Sequence, residues 1–170
     1  PPLTTKKGED TGAVYGYLLI LIKAINDLRA NYIVACFDTK AKTFRHQMFA
    51  DYKGNRPKTP APKKEQIPKT KLVLEKLGIP VFSKEGVEAD DLIATICELA
   101  PKQIPEIEVF ILSGDLDNLQ LVNDKIKVYT LGKGIKDTVV YDEERVMSRF
   151  GVRPDQMIDF KALTGDSSDN

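Results

Sequence analysis

Carboxylates recur in three short clusters along this chain of 170 residues. The clusters are Glu88-Ala89-Asp90-Asp91, Asp115-Leu116-Asp117 and Gly165-Asp166-Ser167-Ser168-Asp169-Asn170. Carboxylates that lie together without a counter-charge repel one another and raise each other's pKa, so folds that gather several of them usually bind a divalent cation. The clusters therefore predict a magnesium site, provided that the fold brings them together.

Each acid taken alone also has an ordinary structural explanation. Asp and Glu are common at helix N-termini, where they cap free N–H groups and offset the helix dipole. This explanation does not account for the occurrence of several acids at strand ends and at a helix start. Asp38 and Asp115 each follow a predicted strand, and Asp90 and Asp91 begin a predicted helix, so one edge of a sheet would receive them all.

Helical and strand-like patterns alternate along the chain. The hydrophobic period predicts helices at 11–29, 88–99, 116–122, 142–150 and 154–163, a further helix over Leu72–Leu77 that ends at Gly78, and strands at 32–37, 79–82, 108–112 and 125–131, with a turn at Lys133-Gly134. This alternation predicts an α/β fold with a mostly parallel central sheet flanked by helices, whose ligands bind beyond the carboxyl ends of the strands.

The charges are segregated although the formal net charge is zero. Residues 40–71 contain ten Lys and Arg against Asp51 and Glu65, and the acids concentrate further along the chain. A basic segment beside an acidic centre suits a polyanion held over metal ions. No apolar run is long enough to span a bilayer and no signal peptide begins the sequence, so we expect a soluble, cytoplasmic protein without a membrane partner.

Four motifs that occur in order carry a resemblance to a known family. They are Phe44-Arg45-His46-Gln47-Met48-Phe49-Ala50-Asp51-Tyr52-Lys53-Gly54-Asn55-Arg56-Pro57, Gly86-Val87-Glu88-Ala89-Asp90-Asp91, Ser113-Gly114-Asp115-Leu116-Asp117 and Ala162-Leu163-Thr164-Gly165-Asp166-Ser167-Ser168-Asp169-Asn170. With them the chain resembles the bacterial 5′-3′ exonuclease and flap endonuclease family, which has a PIN-like (resolvase-like) fold. Members occur at the front of DNA polymerase I and as free-standing flap endonucleases.

The resemblance implies two-metal hydrolysis of DNA phosphodiesters from 5′ ends and flaps, in replication primer removal and in repair. Two or more Mg²⁺ or Mn²⁺ ions are implied, with Asp115 counted among the catalytic residues as well. By position, the first metal cluster would comprise Asp38, Glu88, Asp90 and Asp91, and the second Asp115, Asp117, Asp166 and Asp169.

The resemblance also implies a basic arch over the site at about residues 41–71. Lys53 and Arg56 would reach the scissile phosphate and Arg45 a neighbouring one, while Tyr52 would either stack on a base or, like Phe49, pack beneath the arch. The single histidine, His46, is expected in a surface or packing role.

Residues 1–170 are expected to form one α/β domain that is a fragment. Family members begin with a strand that ends in a metal-binding aspartate, whereas this chain opens at Pro1-Pro2-Leu3, and they continue past the position of Asn170 into a helix-three-turn-helix that grips the duplex. The expected partners are DNA with a 5′ end or flap and, in the full-length chain, a polymerase domain.

Three alternatives remain open from the sequence. A PIN-like ribonuclease would use the same sheet and acids on RNA. A phosphatase or nucleotide-binding domain would use Asp115 and Asp117 on small phosphate esters and would be indifferent to Lys53. A non-catalytic DNA-binding fragment would bind DNA with a steep salt dependence and without cleavage.

Overall fold

The structure, a computed structural model, describes residues 3–54, 60–134 and 137–165. The chain divides into two compact units, each with its own hydrophobic core. The first unit comprises Pro1–Phe37 and Pro57–Ser83, and the second comprises Asp38–Arg56 and Lys84–Asn170. The segment expected as a basic arch is therefore divided between the units, and the arch stays a prediction.

The described residues form six α-helices, five strands and two short 3₁₀ helices. In chain order these are α1 (Gly12–Leu28), β1 (Ala35–Cys36), α2 (Phe44–Met48), α3 (Ala61–Lys76), β2 (Val81–Phe82), α4 (Ala89–Gln103), β3 (Val109–Leu112), a 3₁₀ helix (Leu116–Leu121), β4 (Ile126–Gly134), β5 (Asp137–Tyr141), α5 (Glu143–Phe150), a 3₁₀ helix (Pro154–Gln156) and α6 (Met157–Thr164).

The first unit packs α1 and α3 with a short parallel pair of strands. β1 pairs with β2 in parallel, with Ala35 opposite Val81. The core consists of Leu21, Ala35 and the fully buried Leu74. The period-3.6 apolar pattern of α1 explains why this helix was predictable, because it presents one apolar stripe to that core.

Helix α3 begins earlier than the sequence pattern indicated. The prolines were expected to break up residues 57–68, yet the helix runs from Ala61 to Lys76 and contains Pro62 in its first turn and Pro68 in its interior. Proline in the first turn removes no helical hydrogen bond, because the N–H groups there are unpaired in any helix. The buried side chain of Gln66, in the second turn, also ties the start of α3 to α1, since its Oε1 accepts from the backbone N–H of Ala13 at 2.7 Å.

The second unit contains a three-stranded sheet in the order β3-β4-β5. β3 and β4 are parallel, and β4 and β5 form an antiparallel hairpin. β4 extends to Gly134, so the turn predicted at Lys133-Gly134 lies within the strand, and the strand pairing shifts register between Leu131 and Gly134. Val128, Leu119 and Val146 are fully buried in this unit's core.

These pairings confirm the predicted α/β class with parallel strands. The parallel pairs occur in two separate sheets of the described chain, one in each unit. No helix among the described residues is long and apolar enough to cross a membrane.

Candidate functional site

Asp38 lies against the N-terminus of α4. Its Oδ1 accepts a hydrogen bond from the backbone N–H of Ala89, the first residue of the helix, at 2.7 Å. The first N–H groups of a helix have no intrahelical acceptor and form the positive end of its dipole, so a carboxylate is stabilised there. Asp38 is thereby held at the helix end that carries Asp90 and Asp91.

The start of α4 is defined by Glu88 and Asp91. Glu88 precedes the helix in extended conformation, and its backbone N–H donates to Asp91 Oδ2 at 2.8 Å. Asp91 therefore performs the capping role that the sequence allowed for any of these acids. Capping fixes the direction in which the helix leaves the loop and so positions Asp90.

Three side chains from residues 45–53 contact these two carboxylates, and we call the five residues the ion-pair cluster. Arg45 binds Asp91 in bidentate fashion, with both N···O distances 2.8 Å. Glu88, only 7% exposed, accepts from Lys53 Nζ at 3.0 Å and from Tyr52 Oη at 3.1 Å. A buried carboxylate is tolerated when it is paired and hydrogen-bonded, and Glu88 is both.

The pairing shifts the pKa values of its members. The hydrogen bonds from Arg45 are the main reason that the pKa of Asp91 is lowered, and the same hydrogen bonds raise the pKa of Arg45. Burial is the main reason that the pKa of Tyr52 is raised. At neutral pH these shifts keep Asp91 and Arg45 ionised and the Tyr52 phenol neutral.

Replacing Asp91 with asparagine is expected to lower stability at pH 7 by about 1 kcal/mol, because charge-assisted bonds to Arg45 are weakened. For a domain of this size that corresponds to a melting temperature lower by roughly 3 °C. The lowered folded pKa means that ionised Asp91 contributes stability above its unfolded pKa of about 3.9 and loses that contribution as the pH falls through the folded value.

Calorimetric melting of the two proteins between pH 7 and pH 3 measures this effect. The difference between wild type and Asp91→Asn should shrink as the pH falls below 5. Asp155→Asn, in an exposed pair with Arg153, is the control, and a difference as large there would contradict a special role for Asp91.

Asp90, Asp38 and Asp115 form a second set, which we call the acidic group. The pKa of Asp90 is raised, first by burial, then by the negative charge of Asp115, and further by that of Asp38. A hydrogen bond from Asn118 acts in the opposite direction. The carboxylates of Asp115 and Asp38, which come from two other chain segments, therefore lie close enough to Asp90 to disfavour its ionisation.

Neutralising Asp90 should consequently stabilise the metal-free protein. The raised folded pKa means that protonated Asp90 is favoured by folding, and this contribution is fully present below its unfolded pKa and lost as the pH rises through the folded value. At pH 7, in chelator, we expect Asp90→Asn to melt a few degrees higher than wild type. The two melting temperatures should converge toward pH 3, and a lower melting temperature at pH 7 would show that burial and the charges of Asp115 and Asp38 do not disfavour ionised Asp90 in the folded protein.

Asp115 follows β3 and caps the first 3₁₀ helix. Its Oδ1 accepts from the backbone N–H of Asp117 at 2.9 Å, and its own N–H donates to Ser113 Oγ at 3.0 Å. Asp117 instead forms an ion pair with Lys161 of α6. The two acids of the Asp115-Leu116-Asp117 motif thus have different surroundings, one facing Asp90 and the other a lysine.

The structure divides the predicted first metal cluster. Asp38 and Asp90 belong to the acidic group with Asp115. Glu88 and Asp91 instead form ion pairs with Lys53 and Arg45. Arg56, Asp166 and Asp169, predicted for phosphate and metal binding, lie outside the described residues.

The acidic group suits a hydrated divalent cation. Within the described ranges, no three Asp, Glu, His or Cys side chains are placed to hold one ion. Magnesium, however, keeps several of its waters and binds through one or two carboxylates, and oxygen donors are the ligands that it prefers. A bound cation would offset the negative charges of Asp115 and Asp38 that raise the pKa of Asp90.

The aromatic residues beside the cations differ in exposure. Phe49 is 61% exposed, so it is not packed beneath other residues. Tyr52 is half-buried. Its ring is perpendicular to that of His46 at a centroid distance of 5.3 Å, and Lys53 Nζ lies 5.2 Å from its centroid. His46 itself caps α2 by accepting from Thr43, which agrees with the packing role expected for it.

Three residues near the acids were not predicted from the sequence as site residues. Ser113 and Asn118 organise the Asp115 loop, and Lys161 pairs with Asp117 from α6. Ser113 begins the motif Ser113-Gly114-Asp115-Leu116-Asp117, so the sequence did place it beside the predicted site. Lys161 carried none, because only the folded chain shows what it contacts.

Comparison with known proteins places these features in context. The family model described as 5′-3′ exonuclease, N-terminal resolvase-like domain, matches residues 1–151. The chain is 43% identical over 170 residues to DNA polymerase I of Bacillus subtilis (strain 168), matching 100% of this chain and 19% of that protein. It is 42% identical over 170 residues to the 5′-3′ exonuclease of Aquifex aeolicus (strain VF5), matching 100% of this chain and 57% of that protein.

Among solved structures, the chain is similar to T5 5′-exonuclease with bound divalent zinc ions. The TM-score is 0.73 at 26% identity, and the match covers 92% of this chain and 60% of that one. The chain therefore spans only part of the length of the proteins that it resembles.

Proposed function

Since the chain belongs to the 5′-3′ exonuclease family, as its match to the N-terminal resolvase-like domain shows, we propose that it hydrolyses DNA phosphodiesters from 5′ ends and flaps. The observation that carries this proposal is the placement of two sets of side chains around one helix end. The acidic group surrounds Asp90, and the cations Arg45 and Lys53 bind the adjacent Glu88 and Asp91. Metal-binding carboxylates beside phosphate-binding cations are suited to the hydrolysis of a phosphodiester, because they stabilise the negative charge that develops in the reaction.

The cations would exchange a carboxylate partner for a phosphate. Arg45 presents the planar fork that binds either group through two parallel hydrogen bonds, and Lys53 presents a compact point charge. With DNA bound, Lys53 would hold the scissile phosphate and Arg45 a neighbouring one. Arg56, close to Lys53 in the sequence, is proposed for the same phosphate, and Tyr52 for stacking on a base once it leaves Glu88.

We propose Mg²⁺, or Mn²⁺, as the cofactor, with two or more ions held by the predicted acids. Asp38, Glu88, Asp90 and Asp91 would serve one ion and Asp115, Asp117, Asp166 and Asp169 the other. When bound, such ions supply activation of a water and neutralisation of the leaving oxygen. The acidic group would hold such ions through carboxylates from separate segments, in part through bound water. Zinc bound to T5 5′-exonuclease supports a divalent-metal site in this fold.

Recognition would depend on the structure of the DNA. Phosphate contacts and aromatic stacking read no base sequence, so the substrate would be selected by its free 5′ end or flap. Primer removal in replication and repair of damaged strands both present such ends. We therefore propose these roles, in the cytoplasm at the bacterial nucleoid and without a membrane partner.

The proposal includes two contexts for the chain. A DNA polymerase I and a 5′-3′ exonuclease are similar to it at nearly the same identity, 43% and 42%. In the first context a polymerase domain follows in the same protein and fills the gap that primer removal leaves. In the second the nuclease acts by itself.

A cleavage assay on three substrates tests the proposed function. The protein at its full natural length is incubated with a 5′-labelled flap duplex, single-stranded RNA or p-nitrophenyl phosphate, each with magnesium or with chelator. We expect magnesium-dependent cutting near the flap junction and little turnover of the other two. A clear preference for RNA would favour the ribonuclease, turnover of the ester would favour a phosphatase, and DNA binding without cleavage would favour the non-catalytic module.

A further inference from the structure

His46 lies in the first turn of α2 and determines how this short helix begins. Its Nδ1 accepts a hydrogen bond from the backbone N–H of Thr43, the residue before the helix, at 3.2 Å. Thr43 is only 6% exposed, and a buried backbone N–H without an acceptor destabilises a fold. The His46 ring supplies that acceptor from the third position of the helix, where capping boxes usually have Glu or Gln.

Two further contacts hold the imidazole ring in this orientation. The Oγ1 atom of Thr43 lies 3.0 Å from the same Nδ1. The perpendicular ring of Tyr52 packs against the imidazole, and the Tyr52 hydroxyl donates to Glu88 at 3.1 Å. The ring of His46 is therefore held between the start of α2 and a side chain that is itself bound to the ion-pair cluster.

The capped end of α2 also meets the loop before α4. The N–H of Phe44, the first residue of α2, donates to the backbone oxygen of Gly86 at 3.2 Å. Arg45 is the next residue, and it reaches Asp91 with both N···O distances 2.8 Å. A helix of five residues is not stable by itself, so contacts at its ends must hold it in place. The position of Arg45 therefore depends on the cap that His46 provides.

We propose that His46 is a positioning residue for Arg45: by capping α2, it holds the guanidinium group where this group can bind either Asp91 or a phosphate of DNA. This inference rests on the proposed function, since it concerns the cation proposed for the phosphate next to the scissile one. A packing role alone would account for the contact between His46 and the Tyr52 ring. It would not require a ring nitrogen that accepts from the N–H of Thr43.

Steady-state cleavage of flap DNA by the protein at its full natural length tests this role. His46→Leu removes the acceptor and should raise KM about 10-fold, within the roughly 100-fold that a misplacement of about 1 Å can cost. The value of kcat should change little, because Arg45 would bind the same phosphate before and during the reaction. His46→Gln keeps an acceptor that capping boxes use and should restore the wild-type KM. Assays well below each variant's melting temperature separate KM from lost stability.

A double-mutant cycle shows whether His46 acts through Arg45. Arg45→Ala should raise KM by itself, and adding His46→Leu should raise it no further, since the group to be positioned is gone. An equal effect of His46→Leu with and without Arg45 would overturn the positioning role. Gln47→Leu is the matched control, because Gln47 is an exposed residue of the same helix, and this variant should have the wild-type KM.

Nuclear magnetic resonance of the wild-type protein decides the question if His46→Leu does not fold. A neutral imidazole carries its proton on one nitrogen only. Long-range proton–nitrogen spectra at mildly alkaline pH should show the proton of His46 on Nε2, with His46→Gln identifying the signal by its loss. A proton on Nδ1 would overturn the inference, because that nitrogen could not accept from Thr43.

The outcomes for the two proposals are distinct. Wild-type protein that cuts flaps, together with a folded His46→Leu variant that keeps the wild-type KM, would sink this inference alone. Wild-type protein that cuts no DNA would sink the proposed function with it.

Discussion

The Asp115→Ala variant is expected to cut flap DNA at least about 100-fold more slowly than wild type, since even residues that only contact metal ligands contribute about 10- to 100-fold. Asp115 is the carboxylate that acts most strongly on the pKa of Asp90. Its removal takes away one of the three carboxylates that form the acidic group. Its side chain is exposed, and the fold loses only a helix cap worth about 1 kcal/mol. DNA binding should persist, because the cations lie on other residues.

Two further variants separate charge from capping. Asp115→Asn keeps an oxygen that can accept from the N–H of Asp117 and should restore stability without restoring the rate. Asp124→Ala removes an exposed acid of the same unit and should leave both unchanged. Rates come from single-turnover cleavage in magnesium and stability from thermal melting. Cleavage by Asp115→Ala within tenfold of wild type would show that the acidic group is not the reaction centre.

Replacing Lys53 with alanine is expected to cause the second large loss of cleavage rate. Preorganised donors that face a developing negative charge contribute about 100- to 1,000-fold to a rate, and we expect a loss of that order in cleavage. Lys53 is suited to this role because its backbone has a positive φ of 56°, a conformation rare outside glycine, which directs its side chain to Glu88. A strained backbone at a charged residue is typical of functional positions.

The same variant also affects stability through Glu88. Loss of one charged hydrogen bond from this buried carboxylate should cost about 1.5 kcal/mol, since Arg45 and Tyr52 still contact it. Lys53→Ala combined with Glu88→Gln should recover that stability and not the rate. Lys42→Ala, an exposed lysine of the same basic segment, is the control for net charge. A rate loss equal to that of Lys42→Ala would mean that Lys53 contributes only to the general electrostatic field.

The sequence predicted those elements whose local pattern agrees with their packing. α1, α4 and β3 have clear apolar periods and were found with small errors at their ends. The first half of α3 was missed because the prolines argue locally against helix, while the burial of Gln66 and Thr70 depends on α1, which only the folded chain supplies. α2 was missed because five residues are too few to show a period.

The candidate site divides in the same way. Residue type and spacing were enough to identify the acids, because strand ends and helix starts are visible in the sequence. The partners of those acids were not, since Arg45 meets Asp91 across 46 positions of the chain. A bidentate pair at that separation depends on tertiary geometry, as does the burial of Asn118.

The ion-pair cluster changes what nucleic acid binding releases into solution. When lysine and arginine side chains that face water bind DNA, the condensed counterions of the DNA are released. The affinity for DNA then depends strongly on salt concentration. Arg45 and Lys53 are already neutralised by carboxylates of the same unit. A phosphate of the DNA would replace these carboxylates as the partner of Arg45 and Lys53. Glu88 and Asp91 would then be without a positively charged partner and could bind a metal ion. DNA binding and divalent-ion binding would then be coupled, because DNA would release carboxylate oxygens that can bind the metal ion.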